Sequence, residues 1–130
     1  MHQVINVIPP TLYTTNTATS PNAQTVQLAS NINVAGAKSG VLVAKIHSGP
    51  SAGTWSVIAR NVAESSRDPA IRFVDEVNPV ATIAISGGQN LWLADLDDAP
   101  IGEQLQVVLT MPALASATLG LSVDLVLRDS

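Results

Sequence analysis

The stretch LGLSVDLVLR, from Leu119 to Arg128, alternates strictly. Leu119, Leu121, Val123, Leu125 and Leu127 fall on one side, and Gly120, Ser122, Asp124, Val126 and Arg128 on the other. Successive side chains of a strand project to opposite faces, so this pattern predicts a β-strand with one face in a sandwich or barrel core. Leu121, Val123 and Leu125 are therefore expected core positions. Upstream, EQLQVVLTM places Leu105, Val107 and Leu109 on one face, and Pro112 with the small residues ALASA separates the two strands.

The same period of two recurs towards the N-terminus. TWSVIARN sets Trp55, Val57 and Ala59 against Ser56, Ile58 and Arg60, and VLVAKIHSG is apolar on both faces, as in a covered strand. VATIAIS, NLWLADL and IRFVDEV read as further strands, the last with Ile71 and Phe73 on one side, and TVQLASNINV begins the body near Thr25. SGGQN at 86–90 reads as a hairpin turn. No segment sustains a helical period. The best rival, 91–109, could line a helix with Leu93, Leu96 and Ile101, but Pro100 and Gly102 interrupt it. About eight short strands separated by turns define an all-β fold, an antiparallel β-sandwich of jelly-roll-like type.

Residues 1–24 differ from the body. Val4, Ile5, Val7 and Ile8 are apolar, Pro9-Pro10 is stiff, and a polar, Thr-rich tail follows Tyr13. The segment is expected to be an extended N-terminal arm preceding a β-sandwich domain at 25–130. In that role Val4, Ile5, Val7, Ile8 and Tyr13 are candidate interface residues, adding a strand to a neighbour's sheet edge. Removing the arm would then leave the body folded. The alternative is a first strand followed by a loop.

Composition narrows the function. The chain has 130 residues, enough for one domain with a sizeable core. Only 12% of residues are charged against 46% apolar, so much of the surface is expected to face other protein. Net charge is −4 and the six basic residues form no run, which argues against nucleic acid as a partner. The absence of cysteine excludes disulfides, thiolate chemistry and Cys-based zinc sites. MHQVINVIPP lacks the features of a signal peptide, and no apolar run is long enough to cross a bilayer as a helix.

Residues capable of chemistry are sparse. His2 and His47 lie on different segments with no second ligand at metal spacing. No Ser sits in a G-x-S-x-G elbow. Asp95, Asp97 and Asp98 follow the opening spacing of a calcium loop, but Pro100 and Gln106 stand where its Gly and Glu belong. They read as a solvated turn, as does Asp75-Glu76. Trp55 and Trp92 could form a sugar-stacking platform if exposed, although strand aromatics more often anchor a core. The expectation is no catalytic residue, no cofactor and no metal.

The order of features over residues 25–128 resembles a tailed-bacteriophage capsid decoration, or cement, protein. The pieces are TVQLASNINVAGAKSGVLVAKI, GTWSVIARN, ISGGQNLWLADL and EQLQVVLTMPALASATLGLSVDLVL. The resemblance implies a structural virion protein, made in the host cytoplasm and seated on the capsid surface. Its partners would be the major capsid protein and further copies of itself, and it would stabilise the icosahedral shell by bridging capsomers. The alternative from another class is a carbohydrate- or receptor-binding β-sandwich module.

Overall fold

The computed structural model describes residues 2–15, 24–34, 37–61, 79–96, 104–114 and 116–128. The described residues contain eight strands and no helix. In chain order they are β1 (His2–Thr14), β2 (Gln24–Asn33), β3 (Ser39–Ser48), β4 (Trp55–Asn61), β5 (Ala81–Ile85), β6 (Leu91–Asp95), β7 (Gln104–Met111) and β8 (Thr118–Arg128). The first sheet has the order β1-β8-β3-β6 and the second β2-β7-β4-β5, every pairing being antiparallel. Among the described strands, all but one of the consecutive pairs are split between the two sheets. This is the eight-stranded jelly-roll order, the architecture expected from the alternation.

The core lies where the alternating positions meet. Leu119, Leu121, Val123 and Leu125 of β8 are fully buried, and they pack with Leu105, Val107 and Leu109 of β7 and Trp55, Val57 and Ala59 of β4. Leu42, Ala44 and Ile46 of β3 point into the same cluster, while Val41 and Val43 point outwards and are half-buried. The rival helix over 91–109 is instead β6 and β7. β6 turns Trp92 and Ala94, half-buried, towards the core and leaves Leu91 and Leu93 exposed. β7 buries Leu105, Val107 and Leu109 on one face with Val108 besides, a two-residue alternation that one helix face does not give.

SGGQN departs from expectation. The turn joins β5 of the second sheet to β6 of the first, so it is a corner between sheets and not a hairpin. Gly87 (φ 97°) and Gly88 (φ 85°) both occupy the left-handed region, which a side chain would disfavour. Two consecutive residues of this kind reverse the chain sharply enough to change layers. The strand expected at IRFVDEV lies outside the described residues.

The arm expected over residues 1–24 is corrected over its first part. His2–Thr14 is β1, a strand of the protein's own first sheet, paired with β8 from His2↔Arg128 to Thr14↔Thr118. Ile5, Val7, Ile8 and Tyr13 are partly buried against the core. The Pro9-Pro10 pair that suggested a separate arm sits in one of two register shifts, between Ile8 and Thr11. Proline lacks the N–H that a ladder needs, so it is tolerated on an edge strand at a bulge. Thr15 closes the strand: its N–H donates to the Ala117 carbonyl at 2.8 Å, its hydroxyl accepts from Ala117 N–H at 2.9 Å, and the hydroxyl donates to the Leu114 carbonyl. Residues 16–23 lie outside the described residues.

Two outcomes follow for stability. Leu121→Ala and Leu125→Ala should each lower unfolding free energy by ~2–5 kcal/mol, through lost transfer energy and a cavity. Ser122→Ala, on the opposite face, should cost under ~1.5 kcal/mol, the worth of one ordinary hydrogen bond. Denaturant melts of the three variants check the facing. Truncation before Thr15 should expose the β8 flank and abolish cooperative unfolding or cause aggregation, read by circular dichroism and light scattering. A truncated chain that melts like the full one would restore the arm.

Candidate functional site

The outer face of the first sheet gathers the side chains that core packing leaves unused. Register across β6, β3, β8 and β1 sets them in rows. Leu93, Val43, Asp124 and Asn6 form one row, and Asp95, Val41, Val126 and Val4 the next. Leu91, Lys45 and Ser122 lie in a third, and Leu12 stands opposite Gly120 towards the far end. Val4, Leu12, Leu91 and Leu93 are 66%, 63%, 50% and 62% exposed. These are large apolar side chains open to solvent on one surface. Isolated exposed apolar residues are ordinary, but a group sharing one sheet face is a candidate contact surface.

Polar groups interrupt the face at two points. Lys45 Nζ lies 3.6 Å from Asp124 Oδ2, joining β3 to β8. Both groups touch solvent, so the ion pair contributes little to stability. His47 Nε2 lies 2.9 Å from Ser122 Oγ. Sequence reasoning missed this pair, because the residues are 75 positions apart and only the β3–β8 register joins them. Among the described residues no carboxylate orients the imidazole, and the pair sits on an open sheet face. A nucleophilic Ser needs a positioned base, an orienting partner and an oxyanion site. The arrangement supplies the first contact alone, and it serves to tie His47 to β8.

The other residues singled out from sequence disperse. His2 stands opposite Arg128 and His47 lies by the Leu121 end of β8, so the two histidines are at opposite ends of the sheet. Trp55 is fully buried, and its indole N–H donates to the Ala52 carbonyl at 3.1 Å. Trp92 faces inwards from β6, half-buried against the core. The pair therefore makes no exposed stacking platform. Asp95 is exposed at the end of β6, while Asp97, Asp98, Asp75 and Glu76 lie outside the described residues. Among the described residues no group of three or more His, Cys, Asp or Glu side chains is placed to hold a metal ion.

Of the five candidate interface residues, Ile5, Val7, Ile8 and Tyr13 serve the protein's own core, and Val4 faces outwards. The bulge between Asn6 and Ile8 explains the split. It puts Val7 and Ile8 on the inner side together, where simple alternation would separate them. No motif in the sequence announces a bulge.

Burial raises the pKa of the Tyr13 phenol, an effect partly offset by a hydrogen bond with Thr11. The phenol therefore holds its proton more tightly in the folded chain than in the unfolded one. Its contribution to stability is complete below the ordinary tyrosine range, near 10, and is lost as pH rises through the higher folded value. The alkaline limb of the stability–pH curve should be shallower in Tyr13→Phe than in the parent. Parallel denaturant melts across that range, with phenolate absorbance recorded, check the sign.

No protein-family model and no curated protein matches the sequence. Among solved structures, the chain is similar to one from a work described as "Bacillus endospore appendages form a novel family of disulfide-linked pili". The two share 12% identity at a TM-score of 0.48, over 100% of this chain and 92% of that one. No helix among the described residues is long and apolar enough to cross a membrane.

Proposed function

We propose that the protein is a structural component of a larger protein assembly, and that the assembly is a bacteriophage icosahedral capsid which it decorates. The observation that supports a role in assembly is the outer face of the first sheet, where Val4, Leu12, Leu91 and Leu93 are open to solvent beside Val41, Val43 and Val126. An open sheet face of this kind suits another protein surface better than a small molecule, which is bound in concave sites. The jelly-roll order agrees with the resemblance over residues 25–128 that gives the finer reading. On that reading the protein bridges major capsid protein subunits and associates with further copies of itself. Many modest contacts, repeated over the shell, supply the avidity. Function then lies in binding and not in catalysis, and no cofactor or metal takes part.

The test is co-sedimentation with capsids assembled from a major capsid protein encoded in the same genome. The folded protein should pellet with the shells saturably and raise the temperature at which they open. Val4→Asp combined with Leu12→Asp should stay folded and bind at least tenfold more weakly, since two buried carboxylates oppose the contact. Failure of the folded parent to bind, or a genome with no capsid protein, removes the capsid reading.

A further inference from the structure

We propose that two copies of the protein join through β6, pairing antiparallel about a two-fold axis at Leu93, so that two first sheets become one continuous sheet. The inference deepens the self-association named above and rests on it, but not on the identity of the larger assembly.

The first argument is the phase of the ladder. Ile46 N–H donates to the Asn90 carbonyl at 2.8 Å, and Leu96 N–H to the Gly40 carbonyl at 2.9 Å. These bonds bracket the β3–β6 register, in which Ala44 opposes Trp92 and Leu42 opposes Ala94. Residues of an antiparallel strand alternate between turning both backbone groups to one neighbour and both to the other. Trp92 and Ala94 therefore bond β3, and Leu91, Leu93 and Asp95 turn their N–H and C=O groups to the open edge. β6 ends its sheet, and no strand among the described residues pairs with its outer side. The Leu91 carbonyl receives one long contact, from Gln89 Nε2 at 3.4 Å.

The second argument is that the other edges are less suited. β1 and β2 each carry two register shifts, and β1 also holds Pro9-Pro10. Such features keep an edge from being extended. β5 is regular, but its outward side chains are Thr82 and Ala84, which offer little apolar area. β6 is regular, contains no proline and turns Leu91 and Leu93 outwards.

The third argument is complementarity under the symmetry. A two-fold axis at Leu93 opposes Leu93 to its own copy, and Leu91 of each chain to Asp95 of the other. All three positions turn their backbone groups to that side, where pairing displaces the long Gln89 contact from the Leu91 carbonyl, so three pairs with two bonds each give about six hydrogen bonds. Lys45 is the β3 neighbour of Leu91 in the same row. Pairing brings it within two strand spacings, about 10 Å between Cα atoms, of Asp95 in the other copy. A lysine and an aspartate side chain together span that gap, and the match occurs twice. Lys45, whose Nζ lies 3.6 Å from Asp124 Oδ2 in its own chain, would have to turn from that partner or lie between the two carboxylates. An isologous contact of this kind closes on itself and stops at two copies.

The experiment uses the full chain alone, without capsids, so its failure is distinguishable from failure of the capsid reading. Sedimentation equilibrium should give a dimer at protein concentrations of about tens of micromolar, the range of a small interface. Leu93→Lys sets two ammonium groups face to face at the axis, and should give a folded monomer with at least a tenfold weaker association. Leu93 is 62% exposed, so circular dichroism melts should stay near those of the parent. The chain has no cysteine, which makes cross-linking clean. Leu93→Cys should form a disulfide-linked dimer on mild oxidation, because a directly opposed pair at about 5.5 Å between Cα atoms meets disulfide geometry. Leu91→Cys, facing Asp95, should remain uncross-linked. A monomeric parent overturns the proposal. So does an oligomer that Leu93→Lys leaves intact, equal cross-linking of the two cysteine variants, or an open chain that lengthens with concentration.

Discussion

Insertion of β8 between β1 and β3 is the constraint on which the rest of the fold depends. One face of this strand supplies Leu119, Leu121, Val123, Leu125 and Leu127 to the core, and its backbone holds β1 on one side and β3 on the other. Burying a leucine or valine side chain is worth about 1.5–3 kcal/mol, and this strand buries five of them in a row. A shift of one residue would turn that whole set to solvent and bring Asp124 and Arg128 inside. The register is therefore fixed by the strand itself. It in turn decides which residues meet on the outer face, including the His47–Ser122 and Lys45–Asp124 contacts.

The architecture was legible in the sequence because a period of two and the burial of one face are the same statement. β4 keeps that correspondence with Trp55, Val57 and Ala59, and β7 keeps it with Leu105, Val107 and Leu109 while also burying Val108 on its other face. Two features were not legible, for a common reason. The role of His2–Thr14 and the path of the SGGQN turn depend on which strands pair, and pairing partners here are distant in sequence. Pro9-Pro10 reads locally as a break, yet β1 accommodates it as an edge bulge because β8 supplies partners before and after it. Gly87-Gly88 reads locally as a hairpin, yet the flanking strands β5 and β6 belong to different layers.

The candidate site was less legible still. Low charge pointed to a protein-facing surface, but Leu12, Leu91, Leu93 and Val4 come from two strands at opposite edges of one sheet. Nothing in their spacing along the chain joins them. The residues that drew attention as chemistry, the two histidines and the two tryptophans, are parted or turned inwards by the same register. What the sheet exposes is shape and apolar area, with a thin scatter of charge.

In each sheet one of the two inner strands, β8 or β7, follows the other six described strands in sequence. During synthesis β1 and β2 leave the ribosome with their neighbours β8 and β7 still missing, whereas β6 follows its partner β3 and β5 follows its partner β4. The first two strands therefore cannot pair in order of synthesis, and long-range pairings of this kind form slowly. β1 and β2 must stay unpaired until β8 and β7 are made, and β-rich segments waiting in that state are open to association with one another. A ribosome that stalls before Gln104 therefore releases a chain with two incomplete sheets, and cellular quality control meets it as an aggregation-prone fragment instead of a smaller domain.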